Sequence, residues 1–144
     1  LQEEKIMRQR LSILALTTTT LLCLAALPSG DVFAQPKPKS VLIYQVTSVD
    51  LSFEKRDPPN ALVKAKGNAR SSGYKNPRLE AVVYVMPPAD GIQDLQFMVD
   101  APTGVDSPTI TPLETPILRI APIPKWFKGV RVISEINKIE KKGP

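Results

Sequence analysis

From Val41 onward the apolar residues fall at every second position, the spacing of a half-buried strand rather than of a helix. Val49, Leu51 and Phe53 alternate with Asp50 and Ser52, and with the β-branched run Val41 to Val46 they predict one long or bulged first strand, closed by Pro58-Pro59-Asn60. Val63, Ala65, Gly67 and Ala69 then alternate with Lys64, Lys66, Asn68 and Arg70, a strand with small inward residues and a basic outer face. After Asn76-Pro77, residues Leu79, Ala81, Val83 and Val85 alternate with Glu80, Val82, Tyr84 and Met86. That stretch is apolar on both faces toward its end and reads as a central strand. Pro87-Pro88-Ala89-Asp90-Gly91 has the composition of a turn, and Leu95, Phe97 and Val99 make Ile92 to Val99 the return strand of a hairpin, with Val83 and Phe97 at facing inward positions.

Prolines 102, 108, 112, 116, 122 and 124 cut the following region into short pieces. Because proline cannot donate to a ladder, Thr109 to Leu113 and Ile117 to Ala121 can be only edge strands or irregular extended segments. Val130, Val132, Ser134 and Ile136 alternate with Arg131, Ile133, Glu135 and Asn137 as the final strand, and the polar tail 139–144 is expected to fray. Six to seven short strands with regular turn signals and no amphipathic helix predict an all-β, antiparallel β-sandwich of immunoglobulin or fibronectin type III character over 41–138. A small open barrel is the alternative. The cysteine pair and central tryptophan of antibody domains are missing, so the prediction rests on patterning.

Ahead of this domain the pattern is different. Arg8 and Arg10 precede an apolar and threonine run from Leu11 to Leu27, and Val32-Phe33-Ala34 places small residues third from and next to a cut, the build of a signal peptide. A membrane span needs about 20 apolar residues. The run is shorter, holds Thr17 to Thr20 and ends in Pro28-Ser29-Gly30, so removal after Ala34 is the expectation and retention as an uncleaved anchor, the one way a membrane is expected as partner, the alternative. Met7 is the expected translation start. Cys23 follows Leu22 rather than a small residue, which argues against lipidation, and it would leave with the leader. The exported part would then contain no thiol, in a periplasmic or extracellular setting where disulfides are permitted but not required. Residues 35–40, Gln-Pro-Lys-Pro-Lys-Ser, read as a short extended linker.

The remainder after the cut, about 110 residues, is enough for one domain with its own core. The formal net charge is +5, and the charges ahead of Gln35 cancel, so the domain itself carries it. A charge of this size keeps a small domain soluble and could also draw it to anionic envelope polymers by screened attraction; nucleic acid is not expected as a partner. There is no histidine, which excludes serine triads, histidine zinc sites and imidazole haem ligation. No glycine-rich phosphate loop or Gly-x-Ser-x-Gly elbow occurs, and no cofactor, metal or catalytic residue is expected. The aspartates Asp90, Asp94, Asp100 and Asp106 lack the spacing of an EF-hand and read as turn formers.

Two segments carry candidate binding residues. Gly73-Tyr74-Lys75-Asn76-Pro77-Arg78-Leu79 places a candidate left-handed glycine, an aromatic ring and two cations on one loop, able to meet a carbohydrate or peptide, or simply to cap the sandwich. With Lys64, Lys66 and Arg70 it could form one basic patch. Pro124-Lys125-Trp126-Phe127-Lys128 pairs the only tryptophan with a phenylalanine between lysines, which could dip into a membrane interface, anchor a partner or cap the core. The wording Gly-Tyr-Lys-Asn-Pro-Arg-Leu, Tyr-Val-Met-Pro-Pro-Ala-Asp-Gly-Ile and Lys-Gly-Val-Arg-Val is similar to small exported bacterial β-rich domains. That resemblance implies a fold and a compartment and carries no activity. The functional expectation is a non-enzymatic exported domain that binds an envelope or extracellular macromolecule, protein or anionic polymer, through loops at one end. The alternatives are a chaperone-like domain pairing through edge strands and a histidine-free hydrolase.

Overall fold

A computed structural model describes residues 36–144; the leader, the Met7 start, Cys23 and the cut after Ala34 lie outside the described residues. Among the described residues the chain is all-β. It forms nine strands: β1 (Ser40–Leu42), β2 (Gln45–Glu54), β3 (Asn60–Ala69), β4 (Lys75–Ala81), β5 (Ile92–Asp100), β6 (Thr111–Glu114), β7 (Leu118–Ile120), β8 (Gly129–Ile133) and β9 (Lys138–Lys142). One sheet is built on β5. Strand β4 pairs along one side of it, while β8 and then β1 share the other side, and β9 adds beyond β8. The other sheet is built on β3, with β2 on one side and the short strands β6 and β7 following one another on the other. Every pairing is antiparallel except β5 with β8.

The two sheets meet as in a β-sandwich, over a core that draws Val46, Val49, Val63, Ala65 and Ala69 from one and Leu79, Leu95, Phe97, Val99, Val130 and Val132 from the other. The small side chains of β3 make room for Phe97, which is fully buried. A Cβ on Gly67 would stand 2.6 Å from the Gln45 carbonyl oxygen and 3.1 Å from the Phe97 ring. Only glycine fits there.

Several elements depart from the sequence expectation. The first strand divides, because Ile43 and Tyr44 turn the chain from one sheet into the other: Ile43 N–H still bonds the Phe97 carbonyl at 2.9 Å, and Glu135 N–H bonds the Ile43 carbonyl at 2.9 Å. A bulge between Val46 and Ser48 is present, as expected. Strand β4 begins at Lys75 and contains Asn76 and Pro77, with a register irregularity there and Asn76 at φ 54°. It ends at Ala81 and lies at an edge, so it is not central, and Phe97 faces Leu79 rather than Val83. The tail does not fray. Residues 138–142 form β9, in which Ile139 opposes Val132 and packs on the core, so β8 is interior and not the last strand. The proline-cut segments β6 and β7 are edge strands, as proline chemistry requires.

Candidate functional site

The start of β5 and β8, the ends of β4 and β9, and the turn between β2 and β3 all lie at one end of the domain. Ile92 pairs with Gly129, Gly129 with Lys142, and the Ile123 N–H bonds the Pro59 carbonyl at 3.2 Å. Two loops dominate this end, residues 82–91 and 121–128.

The first is held at its base and open at its tip. Gly91 N–H bonds the Pro88 carbonyl at 3.0 Å, and Asp90 accepts the Ile92 N–H at 3.1 Å, closing an Asx turn. Gly91 adopts φ 73°, and a Cβ on it would lie 2.6 Å from the Trp126 carbonyl oxygen, so glycine is required for both conformation and contact. Lys128 N–H bonds the Gly91 carbonyl at 2.7 Å, which fastens the second loop to the first. At the other base, Val82 N–H bonds the Asp94 carbonyl at 3.0 Å and the Gln93 amide donates to the Val82 carbonyl at 2.9 Å.

Tyr84 then folds back. Its hydroxyl donates to the Asp94 carboxylate at 2.7 Å and accepts the Asp94 N–H at 3.1 Å, and its ring meets Trp126 edge-on at 6.3 Å. Burial, reinforced by the Asp94 carboxylate, pushes the Tyr84 phenol above its ordinary range. Phe127 turns inward and meets Phe53 edge-on at 6.5 Å. Arg131 ties the platform together through Asp94 at 2.9 Å, Asp90 at 2.8 Å and Glu140 at 3.2 Å, so the Asp90 carboxyl, fixed first by the Ile92 N–H and then by Arg131, stays below its usual range.

Between these anchors Val83, Val85 and Met86 are left 93%, 103% and 77% exposed. Isolated apolar residues on a surface need no explanation, but three large ones within four positions, on a loop held at both bases, form a patch that calls for one. Trp126, which meets Tyr84 of this loop, and Phe127 are half-buried, with Lys125 and Lys128 exposed.

The other sequence candidates are not brought together. Lys64 and Lys66 project from the outer face of β3, where Lys64 pairs with Glu114. Arg78 projects from the outer face of β4 in the other sheet, paired with Glu80 at 2.7 Å and Asp100 at 3.0 Å. Arg70 pairs with Glu135 at 2.6 Å and lies over the Tyr44 ring at 4.8 Å. A single basic patch therefore does not form: outward positions of opposite sheets face opposite ways, and three of the five cations have carboxylates beside them. Lys75 is exposed. Tyr74 is half-buried against the core, at the rim of an open groove of about 580 Å³ that Tyr44, Arg70, Gln96, Met98 and Glu135 also line. Gly73 is not the left-handed residue of that loop; Asn76 is. Gly73 owes its place to Asp106, whose carboxylate takes its N–H and leaves no room for a Cβ.

The four aspartates serve separate local structures: Asp90 and Asp94 face Arg131, Asp100 holds Arg78, Asn76 and Ser40, and Asp106 holds Gly73, Ser72 and Ser107. No family model, curated protein or solved structure matches this chain.

The sequence reading missed Val83, Val85 and Met86 as surface residues. The available signal was Pro87-Pro88, which removes two ladder donors at the end of the run, together with a tyrosine inside the run able to cap Asp94.

Proposed function

We propose that this chain is a non-enzymatic, exported binding domain that contacts an envelope or extracellular macromolecule through the loops 82–91 and 121–128. The observation that carries this reading is the exposed apolar triplet Val83, Val85 and Met86, on a loop whose Tyr84 meets the half-buried Trp126 and which is anchored from both sides. Anchoring matters because a loop already held in place loses little conformational freedom on contact. An immunoglobulin or fibronectin type III kind of sandwich fits such use, since its contacts cluster on end loops.

Edge pairing is less well supported. Strand β4 carries Pro77 and a register break, and β9 reads Lys-Ile-Glu-Lys-Lys, the devices by which natural sheets block addition of another strand.

The test is capture of envelope material by the full chain and by its Val83→Ser, Val85→Ser, Met86→Ser variant. Loss of the apolar contacts should reduce capture about tenfold or more with the thermal midpoint unchanged. Undiminished capture would remove this end from consideration.

A further inference from the structure

We infer that this end, besides its macromolecular partner, meets an anionic lipid bilayer, a reading that rests on the proposed use of the Val83–Trp126 end for contact. The apolar side chains stand almost wholly in solvent, so they suit insertion into a soft interface better than closure around a ligand. Around them the cations outnumber the carboxylates, although Arg131 alone faces three of the latter. Lys55 and Arg56 on the β2–β3 turn, Lys125 and Lys128 on the second loop, and Lys142 at the end of β9 are all exposed at this end. The carboxylates nearby are mostly engaged: Glu54 with Arg119, Asp90 and Asp94 with Arg131, and Glu140 with Arg131 and, at 3.9 Å, Lys142. Asp57 is the exposed carboxylate at this end with no ion pair among the described residues.

Peripheral binding to a membrane combines these two elements, apolar side chains entering the interface and cations attracted to anionic headgroups. Trp126 adds the amphipathic ring favoured at the headgroup level, and Tyr84 holds it in place edge-on. No helix among the described residues is long and apolar enough to cross a membrane. Residues 36–39 lead into β1 beside Asp100, at the opposite end of β5, which leaves this end clear of the linker.

Trp126 is the only tryptophan in the sequence, so its emission reports on this end alone, even in the full chain. The full chain is mixed with vesicles of phosphatidylcholine, with or without phosphatidylglycerol, and with brominated phosphatidylcholine as a quencher. Vesicles containing phosphatidylglycerol should move Trp126 emission to shorter wavelength and quench it when brominated, and added salt should weaken both effects. Lys125→Glu with Lys128→Glu should lower partitioning by more than about tenfold, since each cation near such a surface is worth about fivefold. Lys64→Glu with Lys66→Glu makes the same change in net charge away from this end and should leave the response intact. The leader is identical in every variant.

Unchanged, unquenched Trp126 emission with both kinds of vesicle would overturn the lipid reading. So would equal loss in the two charge-reversal pairs, which would reduce the effect to net charge. If emission does not respond while the Val83→Ser, Val85→Ser, Met86→Ser variant still loses envelope capture, the surface is a protein or polymer contact and only the lipid reading falls.

Discussion

Phe97 and Val83 illustrate what a single residue contributes here. Phe97 fills the space left by Ala65, Gly67 and Ala69, and Phe97→Ala should cost about 3–5 kcal/mol in urea unfolding because the cavity cannot collapse onto a rigid sheet. Leu79, opposite it, should cost about 2–5 kcal/mol as alanine, whereas Val83→Ala should stay within about 0.5 kcal/mol. The reverse result at these two positions would move the register by four residues. Period-two alternation made Leu95, Phe97 and Val99 legible as core. It misled at Val83 because alternation says which residues share a face of a strand, and not where pairing stops. Pairing stops here because the Tyr84 hydroxyl and Gln93 amide take backbone groups that a longer ladder would have used.

Among the elements, the least legible in the sequence is the link between the sheets. Asn137, read only as a polar position on the last strand, accepts the Val46 N–H and donates to the Val46 carbonyl, both at 2.9 Å, and is fixed by the Ser134 hydroxyl. One side-chain amide thus replaces a missing strand partner at the bulge of β2. Asn137→Ala should cost about 1–3 kcal/mol by leaving both backbone groups without partners, measured by chemical denaturation. A change below about 0.5 kcal/mol would mean that water serves Val46 equally well. The same turn sends the chain back as β9. Its single inward apolar residue, Ile139, is too little periodicity to mark a strand among four charged neighbours.

For the whole molecule, composition sets the response to pH. With no histidine in the sequence, no midpoint change is expected between about pH 5 and 8. Below about pH 4 stability should fall. Asp90, Asp100 and Glu114 have depressed folded values, caused chiefly by the Ile92 N–H, the Asn76 amide and Lys64 respectively. Their contribution is complete above the unfolded carboxylate value and lost as pH drops through the folded one. A thermal midpoint that falls between pH 8 and 5 would contradict this. The all-β, sandwich-like architecture was open to reading from alternation and proline placement, both local properties. The distribution of cations was not, since Lys64 and Arg78 belong to different sheets and only the strand order separates them.

Met86 offers the most direct test of whether the Val83–Trp126 end is the working surface. It is 77% exposed, while Met98, on the outer face of β5, is partly covered and far along the strand from that end. With the full chain bound to envelope material, peroxide oxidation of Met86, followed by peptide mass spectrometry, should slow several-fold while that of Met98 is unchanged. If Met86 oxidises as fast in the bound protein as in the free one, this end remains in water and the account is wrong.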